Sequence, residues 1–163
     1  MSTEATARAF FSAPVFAVVG ASSNPAKFGH KTQLTFPCTH TVFAWYAARD
    51  LPVTPINPGA PTIRALNKEH PTAPSLSALP RPRETAVSVI TPPPATLQVL
   101  REARELGVPS VWLQPGTYDG EVLRLAREEG AFQNVVVGEG GRGDEGWCVL
   151  VDGDRALRQA GKL

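Results

Sequence analysis

The sequence predicts an α/β fold: about five parallel strands in one doubly wound sheet, with helices on both faces. Three observations predict it. Short apolar runs rich in β-branched residues recur along the 163 residues, helical patterns separate them, and loops rich in small residues and proline follow them. Such runs are too short for helices and too uniformly apolar for half-exposed strands, as expected of parallel strands buried on both faces. Right-handed crossovers then arrange them most simply in the order 3-2-1-4-5.

The first run, Val15 to Val19, feeds the loop "GASSNPAKFG" and then His30 and Lys31, where a helix should begin. "TQLTFPCTHT", Thr32 to Thr41, interrupts it. With this segment left out, Phe28, Val42 and Trp45 fall at i, i+4 and i+7, which restores one helical stripe. Threonines, Pro37 and the lack of charge make the segment poor helix material, so it is expected to loop out as an insertion.

Pro52 to Ile56 is the second run, followed by "NPGAP". Thr62 to Pro82 is the least regular stretch, with a short helix expected at Asn67 to His70. Ala86 to Ile90 is the third run. In the helix after it Leu97, Leu100, Ala103 and Leu106 share a face, Arg101, Glu102, Arg104 and Glu105 meet water, and Gly107 supplies the stop. Ser110 to Leu113 leads into a helix capped by Asp119, with Val122, Leu125 and Ala126 inward and Gly130 at its end. Asn134 to Val137 is the fifth run. "WCVLVDGDRALRQAGKL" reads as an edge strand, a turn at Asp152 to Asp154 and a short last helix.

Length and 42% apolar content fit one domain over residues 1–163. A net charge of +1 provides no basic field, so nucleic acid is a poor partner, and no apolar run approaches the roughly 20 residues that span a bilayer. Cys38 and Cys148 are the only cysteines, and the opening residues lack the form of a secretory signal, so a cytoplasmic setting is expected. Cys38 and His40 form C-x-H, but zinc needs three or four such ligands, and no metal site is expected. Glu139, Asp144 and Glu145 have no nucleophile beside them, and no catalytic residue is assigned. Trp45, Trp112 and Trp147 read as packing residues, with Trp112 also placed to wall a pocket.

Ligands of open α/β sheets sit at the carboxyl ends of the strands. The loops there let backbone approach a ligand closely, and Ser22, Ser23, Lys27, His30 and Lys31 offer donors and positive charge for phosphate. The match to G-x-G-x-x-G is poor, and a tight turn explains Gly20 equally well. At the end of the second run, where an acidic side chain would hold a ribose diol, stands Asn57-Pro58. That tolerates a ligand phosphorylated on that ribose, and both coenzyme A and NADP qualify.

"VFAVVGASSNPAKFGHK", "PVTPINPG", "VSVITPPPAT" and "VPSVWLQPGTYDGEVLRLAREEG" together resemble the stand-alone CoA-binding domain proteins over about Val15 to Gly138. That family is similar to the N-terminal CoA-binding domain of the succinyl-CoA synthetase α subunit. The resemblance implies a Rossmann-like fold holding coenzyme A or an acyl-CoA across the strand ends. It also implies contacts from Gly20, Ala21, Ser22, Lys27, Phe28, Gly29 and Lys31, with Asn57 and Pro58 by the adenosine. Thr91, Pro92 and Pro93, then Gln114, Pro115 and Gly116, would line the path of pyrophosphate and pantetheine. The prolines serve equally as turn formers. No phospho-histidine segment matches, so ligase activity is not implied. A non-catalytic binding or regulatory module is expected; the alternatives are an NADP-dependent oxidoreductase or small transferase in the same cleft, with Tyr118 as nearest proton donor, and a scaffold whose binding the insertion impairs.

Overall fold

The computed structural model describes residues 2–23 and 38–163. In chain order it contains α1 (Glu4–Phe10), β1 (Val15–Val19), α2 (Cys38–Ala47), β2 (Val53–Ile56), β3 (Thr62–Ala65), β4 (Lys68–Pro71), β5 (Thr85–Val89), α3 (Pro93–Leu106), β6 (Ser110–Leu113), α4 (Gly120–Ala126), β7 (Asn134–Val136) and α5 (Val149–Gln159). Five strands pair in parallel in the order β2-β1-β5-β6-β7, and β3 pairs with β4 as a separate antiparallel hairpin. This is the doubly wound, Rossmann-like class that the sequence predicts.

The order differs from the expected one. Counted along the sheet, the five runs stand as 2-1-3-4-5, with the third beside the first. Proline accounts for it. Pro55 lies in β2 opposite Val18, and its carbonyl accepts from Ala73 N (3.0 Å) on the side away from β1. The missing N–H of Pro55 therefore faces outward, where an edge strand tolerates it. In the order 3-2-1-4-5 that position would be interior and would leave a ladder bond unmade.

Strand alternation sends side chains to two cores. Phe16, Val18, Ala86 and Trp112 point to the face covered by α1, α2 and α5, where they meet Phe10, Phe11, Tyr46, Trp147 and Leu157. Ala17, Val19, Val87, Val89, Val111 and Leu113 point to the other, where they meet Leu100, Ala103, Val122 and Ala126 of α3 and α4. Trp112 is fully buried, its ring edge-on to Phe10 at 5.5 Å and its Nε1 donating to Trp147 O, so it belongs to the core and walls no pocket. Ser88 is the polar exception in the sheet's centre. Its hydroxyl pairs at 2.7 Å with that of Tyr46, whose phenol burial pushes well above its ordinary range.

Four local expectations change. Asn67 to His70 is not a helix: Ile63 and Ala65 alternate inward along β3, and Leu66 and Asn67 turn the hairpin at φ 51° and 61°. Residues 149–159 form one helix in place of an edge strand and a turn. Gly153 permits it, because a Cβ there would lie 2.5 Å from the Trp45 ring. The helix capped by Asp119, which accepts from Glu121 N and Val122 N, ends at Ala126. Cys38 to Thr41, expected to loop out, form the first turn of α2.

The helix α1 has no counterpart in the sequence reading. Thr3 and Thr6 cap each other at its start, and Ala7, Phe10 and Phe11 are buried. Just before it Ser2 Oγ donates to Val135 O or Val137 O and accepts from Val137 N, on the outer edge of β7. Among the described residues no helix is long and apolar enough to cross a membrane.

Candidate functional site

With this strand order the connections leave β1 and β5 in opposite directions, so the switch point lies between their carboxyl ends. Gly20 stands there. Its φ is 94°, and a Cβ would come within 3.0 Å of both Ile90 O and Thr91 Cγ2, so neither the conformation nor the space admits a side chain. Gly20 N donates to Ile56 O (3.2 Å) and Ile90 N to Val19 O (2.9 Å), which brings the ends of three strands to one point.

Asn57 ties the next turn down. Its Nδ2 donates to Ala21 O (2.9 Å), and its Oδ1 accepts from Gly59 N (2.8 Å). The amide predicted to lie beside an adenosine is thus engaged with the first loop and offers a ligand the shape of that loop. Ala21 and Ser22 are buried beneath it, and Pro58 is exposed. Lys27, Phe28, Gly29 and Lys31 lie outside the described residues.

After β5, Thr96 Oγ1 donates to Thr91 O (2.9 Å) and pairs with Thr91 Oγ1 (2.8 Å). Pro92 is the N-cap of α3, and Pro93 and Pro94 fill its first two positions. Neither has an N–H, and Thr96 N is spent on Pro92 O (2.9 Å). Proline suits a helix start but removes two of the donors that would hold a phosphate, so the beginning of α3 is a largely apolar rim.

The ends of β6 and β7 are closed by their own side chains. Gln114 Oε1 accepts from Val149 N (2.9 Å), the first residue of α5, and Thr117 Oγ1 donates to Gln114 O (2.7 Å). Gln114 Nε2 is buried without a partner among the described residues. Pro115 and Gly116, at φ 86°, complete the turn. In "GEGGRGDEG" the buried Asp152 carboxylate accepts from Arg142 N (2.8 Å) and Cys148 N (3.1 Å) and folds the loop onto α5. Tyr118 packs against the core over α3 and α4.

Sequence reasoning missed the hairpin's part in this edge. Arg64 N of β3 donates to Ser23 Oγ (2.7 Å), so the hairpin docks on the first loop. A cleft of about 440 Å3 runs between them, lined by Ser23, Arg64, Ala65, Leu66 and Asn67. The alternation of "TIRA" and the turn-forming Asn67 were the available signals.

A parallel sheet with its first and third strands at the switch point, and a side-chain-free Gly20 between them, define a Rossmann-like class of α/β domain. Within that class the family model described as "CoA binding domain" matches residues 15–140, and the chain belongs to that family. Among solved structures, a hypothetical protein from Pyrococcus horikoshii OT3 superposes with a TM-score of 0.70 at 22% identity, covering 96% of this chain and 93% of that one. A protein from Thermus thermophilus gives 0.67 at 26% identity, covering 95% and 99%. A conserved hypothetical protein from Pyrococcus furiosus gives 0.53 at 28%, covering 68% and 82%. No curated protein matches the chain.

Proposed function

We propose that the chain binds coenzyme A or an acyl-CoA across the carboxyl ends of β1, β2 and β5, in the cytoplasm, as a non-catalytic binding or regulatory module. The observation that carries the reading is Asn57. At a strand end where an acidic side chain would repel a phosphorylated ribose, this neutral amide braces the first loop through Ala21 O. The adenosine lies beside Asn57 and Pro58, and the pyrophosphate lies against the backbone from Gly20 to Ser22. By the family resemblance, Lys27 and Lys31 supply positive charge there, and Phe28 and Gly29 supply contact.

The pantetheine arm is mostly apolar and uncharged. The prolines at the start of α3 suit it for the same reason that they do not suit phosphate. It runs along Thr91, Pro92 and Pro93 toward Pro115 and Gly116, with the buried Gln114 supporting that turn from behind. No acid, base or nucleophile is assigned.

Calorimetric titration with CoA, acetyl-CoA, NADP and NAD tests the reading. Micromolar binding of CoA and acetyl-CoA is expected, with NAD silent, and Asn57→Ala should weaken CoA about tenfold by releasing the loop. NADP binding without a CoA response would favour an oxidoreductase. Silence toward all four would favour a scaffold without this ligand.

A further inference from the structure

We propose that Arg64, on the hairpin beside the first loop, recognises a phosphate monoester on the adenosine ribose of the ligand, with Leu66 covering the base. This rests on the reading that the ligand is coenzyme A, and names the group that distinguishes it from unphosphorylated adenosine ligands.

Position comes first. In a doubly wound sheet the adenosine ribose sits at the end of β2, and an arginine nearby is the usual partner of a phosphate on it. Here the end of β2 is neutral. The chain continues from it into β3 and β4, Ala73 pairs with Ile56 on the outer edge of β2, and β3 docks back onto Ser23. Ser23 lies two residues beyond Ala21, which Asn57 holds. The cleft under the hairpin therefore opens beside the place where the ribose is proposed to lie.

Chemistry comes second. Arg64 is exposed and makes no ion pair among the described residues, although Glu69 is its register partner across the hairpin. Its backbone N–H is tied to Ser23, and the residue lines the cleft. A planar guanidinium pairs with two oxygens of a phosphate monoester.

The turn is the third observation. Leu66 is 47% exposed at φ 51°, a left-handed conformation that is unfavourable for a residue with a branched apolar side chain. Asn67 tolerates its own φ of 61° far better. A strained, exposed leucine lining a cleft is explained if its apolar surface has an occupant, and the flat face of an adenine is one of suitable shape.

Titration of the full chain with CoA and with 3′-dephospho-CoA decides the matter. The parent protein should bind CoA about tenfold or more tightly than the dephospho form. Arg64→Ala should remove that preference, weakening CoA while leaving dephospho-CoA unchanged, and Arg64→Lys should restore part of it. The Arg64 N–H bond to Ser23 is backbone and survives both substitutions. Equal affinities in the parent, or equal loss of both ligands in Arg64→Ala, overturn the assignment and leave CoA binding standing. If the parent binds neither ligand, the reading beneath it falls as well.

Discussion

After β1, β2 and β5 come "GASS", "NPGA" and "TPPPAT"; after β6 and β7 come "QPGTYDG" and "GEGGRGDEG". Both sets are rich in small residues and proline, yet the structure uses them in opposite ways. The second set is bound up within the protein, with Val149 N on Gln114 and with Arg142 N and Cys148 N on Asp152. The first set carries no acid, and Asn57, the side chain that braces it, takes hold of a carbonyl, Ala21 O, and of one N–H, that of Gly59. Small residues let a partner approach the backbone; nearby acceptors decide whether that partner is the protein itself.

The strongest way to break this contrast is on the closed side. Asp152→Ala takes the carboxylate away from two part-buried N–H donors and should destabilise the fold by about 2 kcal/mol, read by urea denaturation. CoA affinity of the folded fraction should not change. A large loss of affinity with little loss of stability would mean that the β7 loop belongs to the ligand site.

On the open side the balance should shift. Gly20→Ala forces a Cβ to within 3.0 Å of Ile90 O at φ 94°, and about 2 kcal/mol of strain is expected, together with loss of CoA binding. An unaltered titration would remove Gly20 from the site.

Tyr46, under the sheet's centre, sharpens the comparison because it belongs to neither set of loops. Its folded-state pKa is raised, so its neutral form contributes stability below the unfolded value near 10, and that contribution is lost as pH rises. From pH 9 to 11 the loss should be about 1.4 kcal/mol. Tyr46→Phe should flatten this slope without altering ligand affinity, and an unchanged slope would place the alkaline sensitivity elsewhere.

The buried strands, the helix α3 and the Asp119 cap were legible because each depends on local pattern. Strand order was not, although its determinant was visible: Pro55 marks an edge strand, and that outweighs the simplest winding. The β3–β4 hairpin was masked by the prolines around it and by a turn built on Leu66 where glycine is the usual signal. The helix α5 was misread because Gly153 breaks helices on propensity alone, whereas here it admits the ring of Trp45, a contact between residues distant in sequence. Of the candidate site, Gly20, Ala21 and Asn57 come together as one unit, Thr91 fills the space where a side chain on Gly20 would stand, and Gln114 is drawn away toward α5. Arg64 could not be nominated before the hairpin was known.

The hydroxyl of Ser2 closes the outer edge of β7 by bonding across both Val135 and Val137. An unpaired strand edge is a template for a strand from another molecule. Proteolytic trimming ahead of α1 would expose that edge, and the first consequence would be self-association through β7, with the loops at the carboxyl ends of β1, β2 and β5 left as they were.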